Sequence, residues 1–308
     1  MRIAITGAAG FIGSHLCRRL AGAGHTIVGF VRESSQWSAV QPYCERFVFG
    51  DQSDESKFLE FCHDADAVVH NSFDWSLVTG GYRQRGGLRR HMLGNLVSSL
   101  RLLELSHPRP FVYLSSVAVH HDILPEWDHK PDEAHPLRPS SAYGACKAAV
   151  EAHLWAEHFE RDRATCAVRP CAVYGMDPKL DRTIGFSILR QIIQERHYEK
   201  SGGGKFVHVD DVTAAIHAAL ERPERSAGKP FHLADCYARW TDLAQWGAEL
   251  LKIRPEIVVT SEPDSVNHFD KTAAKSLGPD VDLERGHDGL RAHLEQLVSE
   301  LRRQGLDK

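Results

Sequence analysis

Three features of the sequence predict an α/β protein built on a doubly wound parallel sheet. Short apolar, β-branched runs alternate with longer amphipathic segments through the first 170 residues. A glycine cluster joins the first run to the first amphipathic segment. Hydrophobic residues make up 42% of the 308, enough to cover a central sheet on both faces.

The elements follow in order. Arg2–Thr6 reads as a buried strand and Ile12–Ala23 as a helix with one apolar face. Thr26–Val31 and Arg46–Phe49 are the next strands. A helix near Lys57–Cys62 leads to the strand Ala67–His70, and a long helix near Leu88–Leu105 leads to the strand Phe111–Ser115. A helix from about Ala142 to Glu160 precedes the strand Thr165–Arg169. Right-handed crossovers between such units give a Rossmann-like sheet. Beyond Pro170 the texture changes. Met176–Arg182 is polar and loop-like, Ile184–Glu195 is helical, and Ser201–Gly204 is a glycine-rich turn. Phe206–Val209 is strand-like, and the acidic start of Asp210–Leu220 suits the positive end of a helix. Phe231–Ala234 is a further strand, followed by C-terminal helices. The expected division is a dinucleotide-binding domain over residues 1–170, with later segments near 205–235 returning to it. A smaller lobe over 171–308 would bind substrate.

A net charge of -4 with 25% charged residues offers no electrostatic attraction to nucleic acid or to an anionic membrane. No apolar run approaches the roughly 18–20 residues that span a bilayer, and Met1 leads directly into the first strand rather than into a signal peptide. A cytoplasmic protein is expected. The seven cysteines are scattered without a Cys-x-x-Cys pair, which suits buried thiols rather than disulfides or zinc ligands. His153 and His158 share a predicted helix with Glu157, but five residues apart is the wrong spacing for two ligands on one face. No metal site is expected.

Gly7, Gly10 and Gly13 lie where the first strand hands over to the first helix, flanking Phe11 and Ile12. Glycines there permit a tight turn and close approach of a pyrophosphate, and the helix N-terminus supplies free N–H groups. A turn that binds nothing is the bland alternative; the strand before and the helix after argue for a dinucleotide. NAD-specific sites place an acid at the end of the second strand. Here Val31 holds that position, and Arg32, Glu33, Ser34 and Ser35 follow. A guanidinium suits a 2′-phosphate, so NADP is favoured, with NAD as the alternative that Glu33 leaves open.

Tyr143 and Lys147 stand four apart, on one face of the predicted helix. An unperturbed phenol has a pKa near 10, and a neighbouring ammonium favours the phenolate. Together they make an acid–base pair. Ser116 follows the strand Phe111–Ser115, at the edge of a parallel sheet where ligands bind.

These motifs together resemble the extended short-chain dehydrogenase/reductases, the NAD-dependent epimerase/dehydratase family. The resemblance spans nearly the whole chain: Thr6–Gly13, Gly50-Asp51, Val68–His70, Tyr113–Val119, Tyr143–Lys147, Arg169-Pro170 with Val173–Gly175, and Val207–Val212. It implies Tyr143 as acid/base, Lys147 as its electrostatic partner and ribose ligand, and Ser116 as the hydroxyl that holds the substrate oxygen. It also implies cofactor contacts from the glycine turn and Pro170, with Asp51 near the adenine, although Asp51 equally suits a turn or helix cap. It further implies a homodimer through the helices near Leu88–Leu105 and Ala142–Glu160.

The chain departs from the family pattern in places. Members acting on nucleoside-diphosphate sugars carry an Asn where this chain has Ala172, and an Arg where it has Gly204, with Lys205 beside it. Two missing anion contacts weaken a sugar-nucleotide substrate. Val117 stands where dehydratases need an acid. His120 and His121 replace a Val-Tyr tyrosine and its neighbour, and read as exposed loop residues rather than pocket lining. His91 occupies a family Asn position without a readable role. The leading expectation is an NADP-dependent carbonyl reductase or alcohol dehydrogenase. The alternatives are an epimerase with tightly held NAD, and a non-catalytic NADPH-sensing protein.

Overall fold

The computed structural model describes residues 1–79 and 84–307. Its strands, in chain order, are β1 (Arg2–Thr6), β2 (Thr26–Val31), β3 (Arg46–Phe49), β4 (Ala67–His70), β5 (Phe111–Leu114) and β6 (Thr165–Pro170). Then come β7 (Ala172–Tyr174), β8 (His197–Glu199), β9 (Gly203–His208), β10 (Lys229–Leu233), β11 (Cys236–Arg239) and β12 (Glu256–Val258). Seven of these make one sheet in the order β10-β6-β5-β4-β1-β2-β3, parallel at every pairing. The chain walks outward from β1 to β3, then restarts at β4 on the other side. Its order therefore reverses between β1 and β4, and a crevice opens at the carboxyl ends of the strands there.

The sheet is buried on both faces because its central strands carry consecutive apolar residues, such as Ile3-Ala4-Ile5 and Ala67-Val68-Val69, rather than alternate ones. Ile3 and Ile5 of β1 point to one side and pack with Leu16 and Leu20 of the Phe11–Gly22 helix and with Val212 and Ile216 of the Val209–Glu221 helix. Ala4 points to the other, with Phe30, Phe58, Leu102, Phe111 and Val150. The smaller lobe has its own core of Tyr174, Ile188, Ile192, Leu243, Leu290 and Leu294, beside a three-stranded sheet β11-β9-β7 and the β12-β8 pair.

Two expectations change. Gly203 and Gly204 are not in a turn but begin β9, paired with Arg239 and Ala238 of β11. The backbones come so close that a Cβ on Gly203 would lie 2.3 Å from the Ala238 carbonyl oxygen, so the glycine run marks close approach rather than a bend. The helix expected over Leu88–Leu105 begins at Gly87 and passes through a π-helical stretch, Met92–Val97. Such local widening redirects side chains and recurs at functional sites. The three- and four-residue strands β7, β8, β11 and β12 were also not expected, being too short to carry a periodic signal.

A buried ion pair locks the Ala142–Arg161 helix onto the sheet. Glu151, 1% exposed, accepts from Nε and Nη2 of the fully buried Arg169 of β6, the shortest contact being 2.6 Å. The Ser115 hydroxyl after β5 donates to the same carboxylate. Removing one partner strands a buried charge. Glu151→Ala is therefore expected to lower the unfolding free energy by about 3–5 kcal/mol. The check is urea denaturation, where the midpoint should fall at unchanged m-value; an unmoved midpoint would show that the pair is energetically idle.

Candidate functional site

The crevice is a cleft of about 1240 Å³ reaching from Gly7 to Phe269. Its floor at one end is the glycine turn. Gly7 takes φ +65°, where a side chain would be strained. The Gly10 N–H donates to the Gly7 carbonyl at 2.9 Å, and Gly10 caps the Phe11–Gly22 helix without any side-chain cap. The N–H groups of its first turn thus face the cleft beside Phe11 and Ile12. A Cβ on Gly13 would fall 2.1 Å from the Gly7 oxygen, so the turn can close only with glycine there. This cradle fits a pyrophosphate.

Thr6 fixes the turn against the loop after β4. Its hydroxyl accepts from the N–H of Asn71 (3.0 Å) and of Ser72 (3.1 Å), and sits 2.8 Å from Nδ1 of His70. Since the hydroxyl has one proton to give, His70 accepts at Nδ1, and its Nε2–H points to Ser99 at 2.8 Å. Complete burial lowers the His70 pKa to about 3, so this tie is neutral.

At the end of β2, Val31 is buried, and Arg32, Ser34, Ser35 and Gln36 line the cleft. The Arg32 side chain is exposed, free to turn toward an anion. Asp51 closes a turn, one of the two roles the sequence suggested for it. It lines the cleft, and its Oδ1 accepts from the Ser53 N–H at 3.0 Å and hydroxyl at 2.8 Å, closing the turn after β3.

Ser116, Tyr143, Lys147 and Pro170 meet at the other end of the cleft. Ser141 caps the tyrosine's helix, accepting from the Gly144 N–H at 3.1 Å. Gly144 is required here, since a Cβ would lie 2.2 Å from the Ala118 carbonyl. That contact seats Tyr143 beside the Ser116 loop. Burial raises the phenol's pKa, and a hydrogen bond from Ser116 pulls it partly back. Lys147, 3% exposed, donates from Nζ to the Leu114 carbonyl at 2.6 Å and lies 4.5 Å from the Tyr113 ring centroid. Burial lowers its pKa to about 8.

Several residues at this end carried no reading from sequence. Trp75 stacks on the Tyr143 ring, centroids 4.6 Å apart, and Phe73 meets it edge-on at 4.9 Å. Both follow β4 at the ligand edge, the same rule that marked Ser116, so their place was within reach. Asn95, in the π-helical stretch, donates to the Asp74 carbonyl at 3.0 Å and accepts its N–H at 2.8 Å. His91 links that Asn95 amide (3.1 Å) to the Ala142 carbonyl (3.2 Å). His91 and Asn95 therefore brace the Phe73–Trp75 loop against the start of the tyrosine's helix.

His120 is not an exposed loop residue. It is 6% exposed and stands 3.1 Å from Arg169 and 3.1 Å from His232. Burial and Arg169 lower its pKa to about 4. The expectation failed because a loop residue next to a strand end can be pulled inward by a buried cation's need for acceptors. His121 is exposed, as expected, but like His120 it lines the cleft, which was not.

The far end of the cleft is lined by Ala172, Lys179, Arg182, Lys205, Asn267 and Phe269. Arg182 is paired with Asp177 at 2.7 Å. Gly204 has no room for a side chain, since a Cβ would lie 2.8 Å from the Phe206 ring. Among the described residues, all seven cysteines are free thiols, and no helix is long and apolar enough to cross a membrane.

Residues 3–234 match the NAD dependent epimerase/dehydratase family. GDP-mannose 3,5-epimerase 1 of Oryza sativa subsp. indica is 29% identical over 176 residues, covering 53% of this chain and 43% of the rice protein, so the match spans less than half of that relative. UDP-glucose 4-epimerase of Mycolicibacterium smegmatis is 28% identical over 233 residues, covering 70% of this chain and 72% of its own. A solved structure of a UDP-galactose 4-epimerase superposes with a TM-score of 0.78 at 26% identity, covering 98% of this chain and 100% of that one. With three quarters of its length matched, and with the switch-point sheet and glycine cradle described above, the chain belongs to the NAD dependent epimerase/dehydratase family.

Proposed function

We propose that the protein is an NAD(P)-dependent oxidoreductase acting at a carbinol or carbonyl carbon, with Tyr143 as its acid/base. The observation that carries this reading is the convergence of Ser116, Tyr143 and Lys147 in one cleft with the glycine cradle. Gly7, Gly10, Phe11, Ile12 and Gly13 would hold the dinucleotide's pyrophosphate, Asp51 its adenosine end, and Lys147 and Pro170 its nicotinamide end. When bound, that group donates or accepts hydride. Ser116 orients the substrate oxygen, and Tyr143 gives it or takes from it a proton. Buried Lys147 stabilises the phenolate that remains when the proton has gone to substrate.

Arg32 with Ser34 and Ser35, and no acid at the end of β2, supports NADP as the cofactor; the family's description favours NAD. The second reading, a nucleoside-diphosphate-sugar epimerase, draws on the named relatives and on the half-buried cation Lys205 in the cleft. Ala172 and the closed space at Gly204 argue against it. The intact serine, tyrosine and lysine argue against a non-catalytic NADPH sensor. Leu88, Met92 and Leu93, exposed on one of the helices expected at a dimer interface, support a homodimer.

The first test is to denature purified protein and identify any released dinucleotide. An empty protein that prefers NADP supports the reductase, whereas stoichiometric NAD favours the epimerase. Arg32→Ala should weaken NADPH binding by roughly 10- to 100-fold, the worth of a charge-assisted hydrogen bond or two, and leave NADH binding unchanged in a fluorescence titration. Tyr143→Phe should lower kcat/KM by roughly 10²–10⁴ at unaltered dinucleotide affinity. Carbonyl reduction leaves a phenolate that needs charged Lys147, so kcat/KM should hold at low pH and fall as pH rises through about 8. Lys147→Arg, charged throughout, should move that break upward in a pH–rate profile.

A further inference from the structure

The strongest unassigned cluster lies at the opposite edge of the sheet. His25 sits in the turn between the Phe11–Gly22 helix and β2, at the amino end of the strand. His217 and Glu221 stand four apart on the Val209–Glu221 helix, so their side chains share one face. His25 Nε2 is 3.2 Å from His217 Nε2 and 3.4 Å from Glu221 Oε1, and His217 Nε2 is 3.7 Å from the same oxygen.

We propose that His25, His217 and Glu221 form a binding site for a zinc-class divalent cation that clasps the glycine-turn helix to the helix after β9. The site's dimensions carry the proposal. The three separations, 3.2, 3.4 and 3.7 Å, lie around the roughly 3.3 Å edge of a tetrahedron drawn with zinc's ~2.0 Å bonds to imidazole nitrogen and carboxylate oxygen. The ring centroids of the two histidines are 5.2 Å apart. Two imidazoles bound through Nε2 to one ion at a tetrahedral angle would have centroids about 5.2 Å apart as well. Two imidazole nitrogens facing each other this closely need a shared proton or a shared cation between them. With two imidazoles and one carboxylate, the set is borderline rather than hard, which suits zinc over magnesium or calcium.

The surroundings are compatible with a cation. The His25 side chain is 7% exposed and that of His217 20%, while Glu221 is half exposed. The fourth position therefore faces solvent. Arg19 and Asp280 lie nearby, paired at 3.3 Å, so Glu221 supplies the unbalanced negative charge. The six residues of β2 separate His25 from Arg32 by about 20 Å, so the ion touches neither Tyr143 nor the cofactor cradle. Its role is structural: it holds the base of the helix whose first turn faces the pyrophosphate.

The experiment strips the full chain with EDTA, dialyses it, and titrates zinc chloride by calorimetry with thermal melting in parallel. One tight equivalent per chain is expected, with a rise in Tm of roughly 3–6 °C at saturation. Cobalt should give the visible absorption of a tetrahedral site. His217→Ala and Glu221→Gln should each weaken zinc affinity at least roughly tenfold and abolish the Tm rise. Glu221→Gln alters only a half-exposed carboxylate, so it keeps the test valid if His217→Ala misfolds. His197→Ala, at an exposed histidine–carboxylate pair elsewhere, should change nothing. Absence of a tight equivalent, or its persistence in Glu221→Gln, overturns the site and leaves a simple imidazole–imidazole hydrogen bond.

Discussion

The Glu151–Arg169 pair is the constraint on which the geometry of the reactive end depends. Tyr143, Lys147 and Glu151 fall at steps of four along one helix, so a single face carries the proposed acid/base, its cation and the anchor. Arg169 is the residue before Pro170 at the end of β6, and Ser115 closes the other side of the carboxylate from β5. The anchor thus fixes the helix in rotation and in register against the two strands that border the cleft. Isolated in a low-dielectric interior, such a pair stabilises only when its remaining donors are met. His120 and His232 meet them, at 3.1 and 3.4 Å from the guanidinium. The histidines stay neutral because burial and Arg169 both oppose a second positive charge.

The same burial sets the chemistry. Desolvation pushes the Tyr143 phenol up and the Lys147 ammonium down to about 8, separating two groups that titrate close together in water. In the cleft as it stands the phenol keeps its proton, ready to give it. The aromatic wall of Phe73 and Trp75 around the ring keeps water from that side. The wall is held by Asn95 and His91 through a π-helical stretch, which explains why the family's usual Asn can be a histidine in this chain without loss of a polar link.

At the far end of the cleft, the chain lacks the Asn and Arg of the family pattern. Ala172 offers no polar group, and Gly204 lies under the Phe206 ring, where an arginine has no space. Lys205, one residue along β9, is the cation that remains, and burial lowers its pKa. A shared sheet thus coexists with a pocket that departs from the family pattern, as expected where function resides in a site grafted onto a common fold.

The sequence by itself determined the doubly wound parallel sheet, the glycine turn and the Tyr143–Lys147 pair. Each of these is encoded locally: apolar runs of strand length, glycines at a strand-to-helix junction, and two side chains one helical turn apart. Arg32 and Asp51 were legible as positions, although Asp51's hold on Ser53 shows that one carboxylate can serve a turn and line a cleft together. Only the tertiary structure decided the inward turn of His120, the Trp75 stack on Tyr143, the strand at Gly203-Gly204 and the His25–His217–Glu221 triangle. These depend on groups brought together from up to 196 residues apart, as His25 and Glu221 are, and a short strand or a loop carries no periodic signal of what will close over it. Local pattern fixes elements, whereas burial and the demand that buried polar groups find partners fix the site.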